Sequence, residues 1–180
     1  KAKKTVPILF VGIWGERKGG PQLLEAFKIL LKKFKNLRLT IVGPIPKKFK
    51  ISSLTIVQRD FVPRDELFKK FYPQADIFVL VPPKAEGFGF VVEEAQSFGI
   101  PAIVSRVYAL PEIVKDGETG FVVRPSNLAD LVEKLEILIQ DKELCEKFGE
   151  AARIRFENLF SIEKSNQRLL EVYEKALAAR

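Results

Sequence analysis

The 180-residue chain predicts an α/β fold: a doubly wound parallel sheet of about six strands with flanking helices. Three observations carry this. Short apolar runs alternate with longer amphipathic stretches along the chain, as expected for strands covered on both faces by helices. Glycines and prolines fall mainly between these segments, not inside them. Two of the runs, Val6 to Val11 and Asp76 to Val81, lead into a glycine-bearing loop and then a helix.

Val6 to Val11 reads as the first strand, with Pro7 near its start, where a missing donor is tolerated. Gly12 ends it. The loop Ile13 to Gly20 follows, and Pro21 sits at a favoured first helical position. The helix beyond carries Leu23, Leu24, Phe27, Leu30, Leu31 and Phe34 on one face. Leu37 to Val42 is a second strand, stopped by Gly43-Pro44, and Leu54 to Val57 a short third. Gln58 to Pro63 reads as loop, and Arg64 to Tyr72 as a helix with Leu67, Phe68 and Phe71 inward. Asp76 to Val81 is a buried strand ended by two prolines. A helix starting near Phe88 to Phe90 follows, with Val91, Val92, Ala95 and Phe98 inward and Gly99 at its end. Ile100 to Val104 is the next strand, Leu110 to Lys115 a short helix, Asp116-Gly117 a turn, and Gly120 to Val123 the last strand. Asn127 caps a helix from Leu128, and two more helices span Lys142 to about Asn158 and Ile162 to Ala179.

The length suits one core and the reading is a single domain over 1–180, with no repeat or low-complexity segment. With no histidine and one cysteine, Cys145, the chain has no His-based catalytic group, no intramolecular disulfide and no ordinary zinc set. No apolar run approaches membrane-spanning length and no signal-type segment follows Lys1-Ala-Lys-Lys4, so a cytoplasmic location is expected. The net charge of +7 leaves nucleic acid, an anionic membrane surface or a phosphate ligand open. Lys32, Lys33, Lys35, Lys47, Lys48 and Lys50 fall where lysines usually keep a surface soluble, and no nucleic-acid recognition signature accompanies them.

Glu86 to Glu94, EGFGFVVEE, is the stretch richest in chemistry. A glycine loop opening a helix presents free N–H groups and the positive end of the helix dipole, which suits an anion. In a doubly wound sheet the first loop, with Arg17 and Lys18, would flank the same crevice, giving a two-sided clamp for a diphosphate. The plain alternative is a solvated loop charge for each. A dinucleotide fingerprint is absent, because Gly12 and Gly15 lack the third glycine and Val42-Gly43-Pro44 lacks the ribose acid. A P-loop also fails, since Lys18 is followed by Gly19 and Gly20.

Four stretches, in order, resemble a known family. These are Phe10-Val-Gly12 with Lys18-Gly19 and Leu23-Leu-Glu-Ala-Phe27; Glu86-Gly-Phe-Gly89 through Glu94-Ala95 with Gly99-Ile-Pro101; Pro111-Glu-Ile-Val114 with Asp116-Gly-Glu-Thr-Gly120; and Phe160-Ser161 before the closing helix. Together they resemble the C-terminal, donor-binding Rossmann-like domain of retaining GT-B glycosyltransferases of family four, one half of a GT-B fold. The resemblance covers essentially the whole chain.

That resemblance implies transfer of a hexosyl group, for instance mannosyl, from a UDP- or GDP-sugar to a glycan or lipid-linked acceptor, with retention and no obligatory metal or other cofactor. It implies that Glu86 and Lys18 are catalytic, Glu86 at the sugar hydroxyls and Lys18 neutralising the departing diphosphate. Gly12, Arg17, Gly87, Phe88, Gly89 and Phe90 join the donor site, Glu94 accepts both ribose hydroxyls, and the base lies near the Arg59 to Val62 loop, making Arg59 and Val62 contacts. Glu93 points elsewhere on its helix.

Two positions depart from the family pattern. Ile13 stands where an arginine usually follows the first-strand glycine, and Arg17 is the residue placed to substitute. Tyr108-Ala109 replaces a frequent glycine pair and narrows the expected sugar pocket. Nothing resembles the N-terminal acceptor domain, so a donor domain inactive on its own is expected. Its closing helix, 161–180, would reach toward that domain, leaving Ile162, Leu169, Leu170, Tyr173 and Leu177 partly exposed or covered in a homodimer. A peripheral membrane surface stays open as a partner. The alternatives are a non-catalytic sugar-nucleotide-binding or assembly module and, behind it, a basic nucleic-acid-binding domain.

Overall fold

The computed structural model describes residues 5–47 and 53–178. The basic start, Lys48 and Lys50, and the residues after Ala178 lie outside the described residues. Strands β1 (Val6–Val11), β2 (Leu37–Val42), β3 (Ile56–Arg59), β4 (Ile77–Leu80), β5 (Ala102–Ser105) and β6 (Gly120–Val123) form one parallel sheet in the order β3-β2-β1-β4-β5-β6. This is the predicted doubly wound arrangement. Every residue of β4 and β5 is buried, which is why these strands read as continuous apolar runs instead of alternating ones.

The helices are α1 (Gly20–Lys33), α2 (Arg64–Glu66), α3 (Phe90–Ser97), α4 (Leu110–Ile113), α5 (Leu128–Gln140), α6 (Lys142–Leu159) and α7 (Ile162–Ala178). Helix α1 packs beside α5, and α3 beside α6. Leu23, Phe27 and Leu30 of α1 are buried as their spacing requires, each burial contributing about 1.5–3 kcal/mol. Asn127 caps α5 by accepting from the Asp130 amide at 2.9 Å, and Asp141 caps α6 through Leu144 at the same distance. Gly99, at φ 68°, follows α3 in the left-handed conformation that ends many helices.

Several boundaries differ from the sequence reading, among them β4, which spans Ile77–Leu80 inside the expected Asp76 to Val81, and β3, which starts at Ile56 and not at Leu54. The third strand runs on to Arg59 instead of ending at Val57, because Gln58 and Arg59 pair with β2 despite their polarity; an edge strand needs only one buried face. Strand β5 begins at Ala102, since Pro101 has no amide to give and contributes only its carbonyl, to Phe78 at 3.0 Å. Helix α4 stops at Ile113, with the Arg155 guanidinium taking the carbonyls of Ile113 and Glu112 at 2.9 and 2.6 Å.

The largest difference is in the crossover before β4. Arg64 to Tyr72 is not one regular helix: α2 ends at Glu66, widens into a π turn over Leu67–Phe71 and tightens into a 3-10 turn over Tyr72–Gln74. Pro73 supplies the reason, as its ring and missing amide prevent an α-helix from continuing through it. The change of pitch turns Tyr72 fully inward and leaves Phe68 and Phe71 only half-buried.

Helix α7 has no buried residue. Ile162, Leu169, Leu170, Val172, Tyr173 and Leu177 are all exposed. Among the described residues no helix is long and apolar enough to cross a membrane.

Candidate functional site

Strands β1 and β4 are neighbours in the sheet, and the chain leaves them toward helices on opposite sides of the strand order. The loops at their carboxyl ends therefore part, and the crevice between them is where such sheets bind ligands. The first loop is anchored by Trp14, whose fully buried ring meets Phe10 edge-on at 4.9 Å and whose amide donates to the Pro44 carbonyl at 3.0 Å. It continues through a 3-10 turn at Glu16–Lys18 to Gly19, at φ 77°. A Cβ on Gly19 would stand 1.9 Å from the Val81 carbonyl oxygen, so only glycine lets this loop close onto the end of β4.

That approach brings Lys18 to Glu86. The Lys18 ammonium donates to Glu86 Oε2, and both side chains are largely withdrawn from solvent. Glu86 Oε1 accepts from the Gly87 amide at 3.2 Å. Glu86 is thus a buried, paired carboxylate, unlike a solvent-facing loop acid. An ammonium has three donors, so Lys18 keeps capacity for a second anion beside Glu86.

Beyond Glu86, Gly89 takes φ 96° as the N-terminal cap of α3. A Cβ there would meet Leu110 Cδ2 at 2.6 Å. Gly87 has open space where a side chain would be, and Phe88 and Phe90 are exposed with ring centroids 5.2 Å apart. The α3 terminus consequently presents its unpaired amides beside a wide, side-chain-free approach with an aromatic rim.

Glu94 lies in the next turn of α3 and faces the crossover segment. The Tyr72 hydroxyl donates to Glu94 Oε2 at 2.7 Å, and the Arg64 guanidinium to Oε1 at 3.3 Å. Tyr72 is held by stacking on Phe98 at 5.3 Å and by the edge of Phe68 at 5.5 Å. Burial, then the Glu94 charge, pushes its phenol well above the ordinary range, so it stays a hydrogen-bond donor. Neighbouring Glu93 points inward as a buried acid, raised to about 7 by desolvation and by the Glu94 charge.

On the other flank, Gly12, Val42, Gly43 and Arg59 form one row across the ends of β1, β2 and β3, with the Gly12 amide on the Val42 carbonyl at 2.8 Å and the Gly43 amide on the Arg59 carbonyl at 2.9 Å. The Arg59 side chain is exposed and donates to the Gln58 carbonyl at 3.1 Å, and Val62 is half-buried. Arg17 and Ile13 are exposed on the first loop. Tyr108 holds a left-handed φ of 46°, a backbone that suits the glycine it replaces in the resemblance.

The model of the family described as "Glycosyl transferases group 1" matches residues 1–155. The chain belongs to this family. A glycosyltransferase is also among the curated proteins that it resembles. The chain is 39% identical over 64 residues to the capsular polysaccharide biosynthesis glycosyltransferase CapM of Staphylococcus aureus, 36% of this chain and 17% of that protein. The C-terminal domain of the group 1 protein LpcC from Francisella tularensis superposes with a TM-score of 0.77 at 24% identity, covering 88% of each chain. Sucrose-phosphate synthase from Thermosynechococcus elongatus gives a TM-score of 0.82 at 23% identity, over 98% of this chain and 46% of that one. Anabaena HepE, solved with UDP and glucose, gives 0.82 at 17% identity, over 96% and 49%. The chain therefore spans less than half the length of CapM, the synthase and HepE, and its fold is that of a GT-B C-terminal domain.

Within this glycosyltransferase domain the structure brings Lys18, Glu86 and Gly87 together at the switch point, with Gly89 and Phe90 opening α3 beside them. It sets Arg59 and Val62 on the far flank and Arg17 outward. Four residues escaped the sequence reading. Trp14 is a lone aromatic in a loop, without a periodic neighbour to mark it as core. Tyr72 and Arg64 reach Glu94 from a crossover of changing pitch, which a reading of Arg64 to Tyr72 as one helix does not show. Glu93 carries no pattern distinguishing a buried acid from an exposed one.

Proposed function

We propose that this chain is the donor-binding domain of a retaining glycosyltransferase of family four, using a UDP- or GDP-sugar and a glycan or lipid-linked acceptor. The observation that carries this is the meeting of Lys18 and Glu86 across the β1/β4 switch point, at the mouth of the α3 terminus. The donor diphosphate lies over the α3 amides from Gly87 to Phe90, with Lys18 sharing its charge between the leaving group and Glu86. Neutralising that developing charge is the main electrostatic task when the leaving group is an anion. Glu86 then faces the sugar hydroxyls, and Glu94 the ribose. The base sits toward Gly12, Arg59 and Val62. No obligatory metal is called for, since Lys18 and the helix terminus supply the positive charge.

Transfer also needs an acceptor-binding partner domain, and the chain alone binds donor without turnover. The family assignment and the HepE complex with UDP support this reading. Calorimetric titration with UDP, GDP and ADP tests it. Saturable binding of one diphosphate, weakened at least tenfold in Lys18→Ala and in Glu94→Ala, is expected. Binding of none of them, or binding indifferent to both substitutions, overturns it.

A further inference from the structure

Glu94 is held from two sides by unequal partners. The Tyr72 hydroxyl comes from a fully buried ring, at 2.7 Å, through a phenol that has no other short bond. Its next contact, to the Val91 carbonyl, is 3.4 Å. Arg64 comes from an exposed side chain at 3.3 Å and also lies 5.1 Å over the Phe68 ring. A carboxylate offers about four lone-pair directions. With one taken on each oxygen, one remains on each, matching the two adjacent hydroxyls of a ribose.

We propose that Tyr72 is a positioning residue for ribose recognition: its hydroxyl fixes the Glu94 carboxylate so that the two remaining lone pairs meet the 2′- and 3′-hydroxyls together. This rests on the reading of Glu94 as the ribose acid. An unanchored glutamate in the middle of a helix samples several rotamers and loses part of its bond energy to ordering. The buried phenol removes that freedom before the ligand arrives. The π turn at Leu67–Phe71 is what directs Tyr72 toward α3, so a local departure from helix geometry serves the site. Arg64, exposed and more distant, balances the charge of the empty site and is dispensable for selectivity.

The test compares ribose and 2′-deoxyribose diphosphates, using whichever of UDP or GDP binds, on the wild type, Tyr72→Phe, Glu94→Gln and Arg64→Ala. The wild type is expected to prefer the ribonucleotide by about tenfold, the worth of one charge-assisted hydrogen bond. Tyr72→Phe should cut that preference to about threefold or less while leaving affinity for the deoxynucleotide nearly unchanged. Arg64→Ala should keep the preference. A Tyr72→Phe protein with the full preference, beside a Glu94→Gln protein that has lost it, overturns the role of Tyr72. A full preference in Glu94→Gln instead overturns the ribose reading itself. A readout on the wild type covers the case in which Tyr72→Phe does not fold. With only three tyrosines in the chain, the Tyr72 Cζ resonance can be followed in 13C-tyrosine-labelled protein. It should move more with the ribonucleotide than with the deoxynucleotide, and equal shifts from both contradict the proposal.

Discussion

Glu93 shows how one residue beside the site costs stability. Its carboxyl is raised to about 7 by burial and by Glu94, against an ordinary value of 4.5. The folded state therefore binds this proton more tightly than the unfolded state. Stability linked to the group is greatest below pH 4.5, falls as pH rises toward 7, and is flat above that. Glu93→Gln should remove this slope and stabilise the domain by roughly 1–3 kcal/mol at pH 8, with little change at pH 4. Urea unfolding of both proteins at the two pH values checks this, and an equal effect at both would refute the assignment. Cys145 gives a second expectation. Burial pushes its thiol up to about 12, and its Sγ donates to the Asp76 carbonyl at 3.3 Å, so it should resist thiol reagents until the domain is unfolded. The local pattern of a glycine loop opening a helix singled out Glu86 and Glu94 as candidate acids, and their separate tasks are what the family resemblance implies. The sequence could not show the partners of Glu94, which depend on how a distant segment turns.

At the scale of elements, the first loop is the part most sensitive to a single atom. Gly19→Ala forces a Cβ into the Val81 carbonyl and a strained left-handed φ. It should destabilise the domain by about 2 kcal/mol or more and weaken diphosphate binding by displacing Lys18, both measurable by thermal melts and calorimetry. Unchanged stability would mean that the loop does not close on β4. Strands β1, β2 and β6 and the cap at Asn127 were legible to the residue, since apolar runs bounded by glycine, proline or a capping side chain carry their own limits. The crossover from Arg64 to Gln74 was not. Pro73 announces a break in the helix, but whether the preceding turns widen or tighten depends on the packing of Tyr72 against Phe98 and Phe68.

At the scale of the molecule, the order β3-β2-β1-β4-β5-β6 explains why the two candidate loops flank one crevice, and the sequence anticipated that placement from the reversal of strand order alone. Charge is also divided by topology. Lysines and arginines outnumber acids in the first 75 residues, which hold β1 to β3 and the first loop, while acids outnumber them in the remainder. Under the proposed function, the positive first half would raise the local concentration of anionic donors. Helix α7 stands apart from this core. With none of its residues buried, deletion of 162–180 should shift the melting temperature by no more than about 3 °C. A larger loss would show that its apolar face is covered in solution.

The most direct test of the donor-site account is an amide chemical-shift titration of the labelled domain with UDP and GDP. The account predicts that the largest shifts fall on Gly19, Gly87, Phe88, Gly89 and Phe90, with Glu94 following. Shifts concentrated instead at the opposite end of the sheet, around the groove lined by Phe34, Asp76, Leu138 and Cys145, would contradict it.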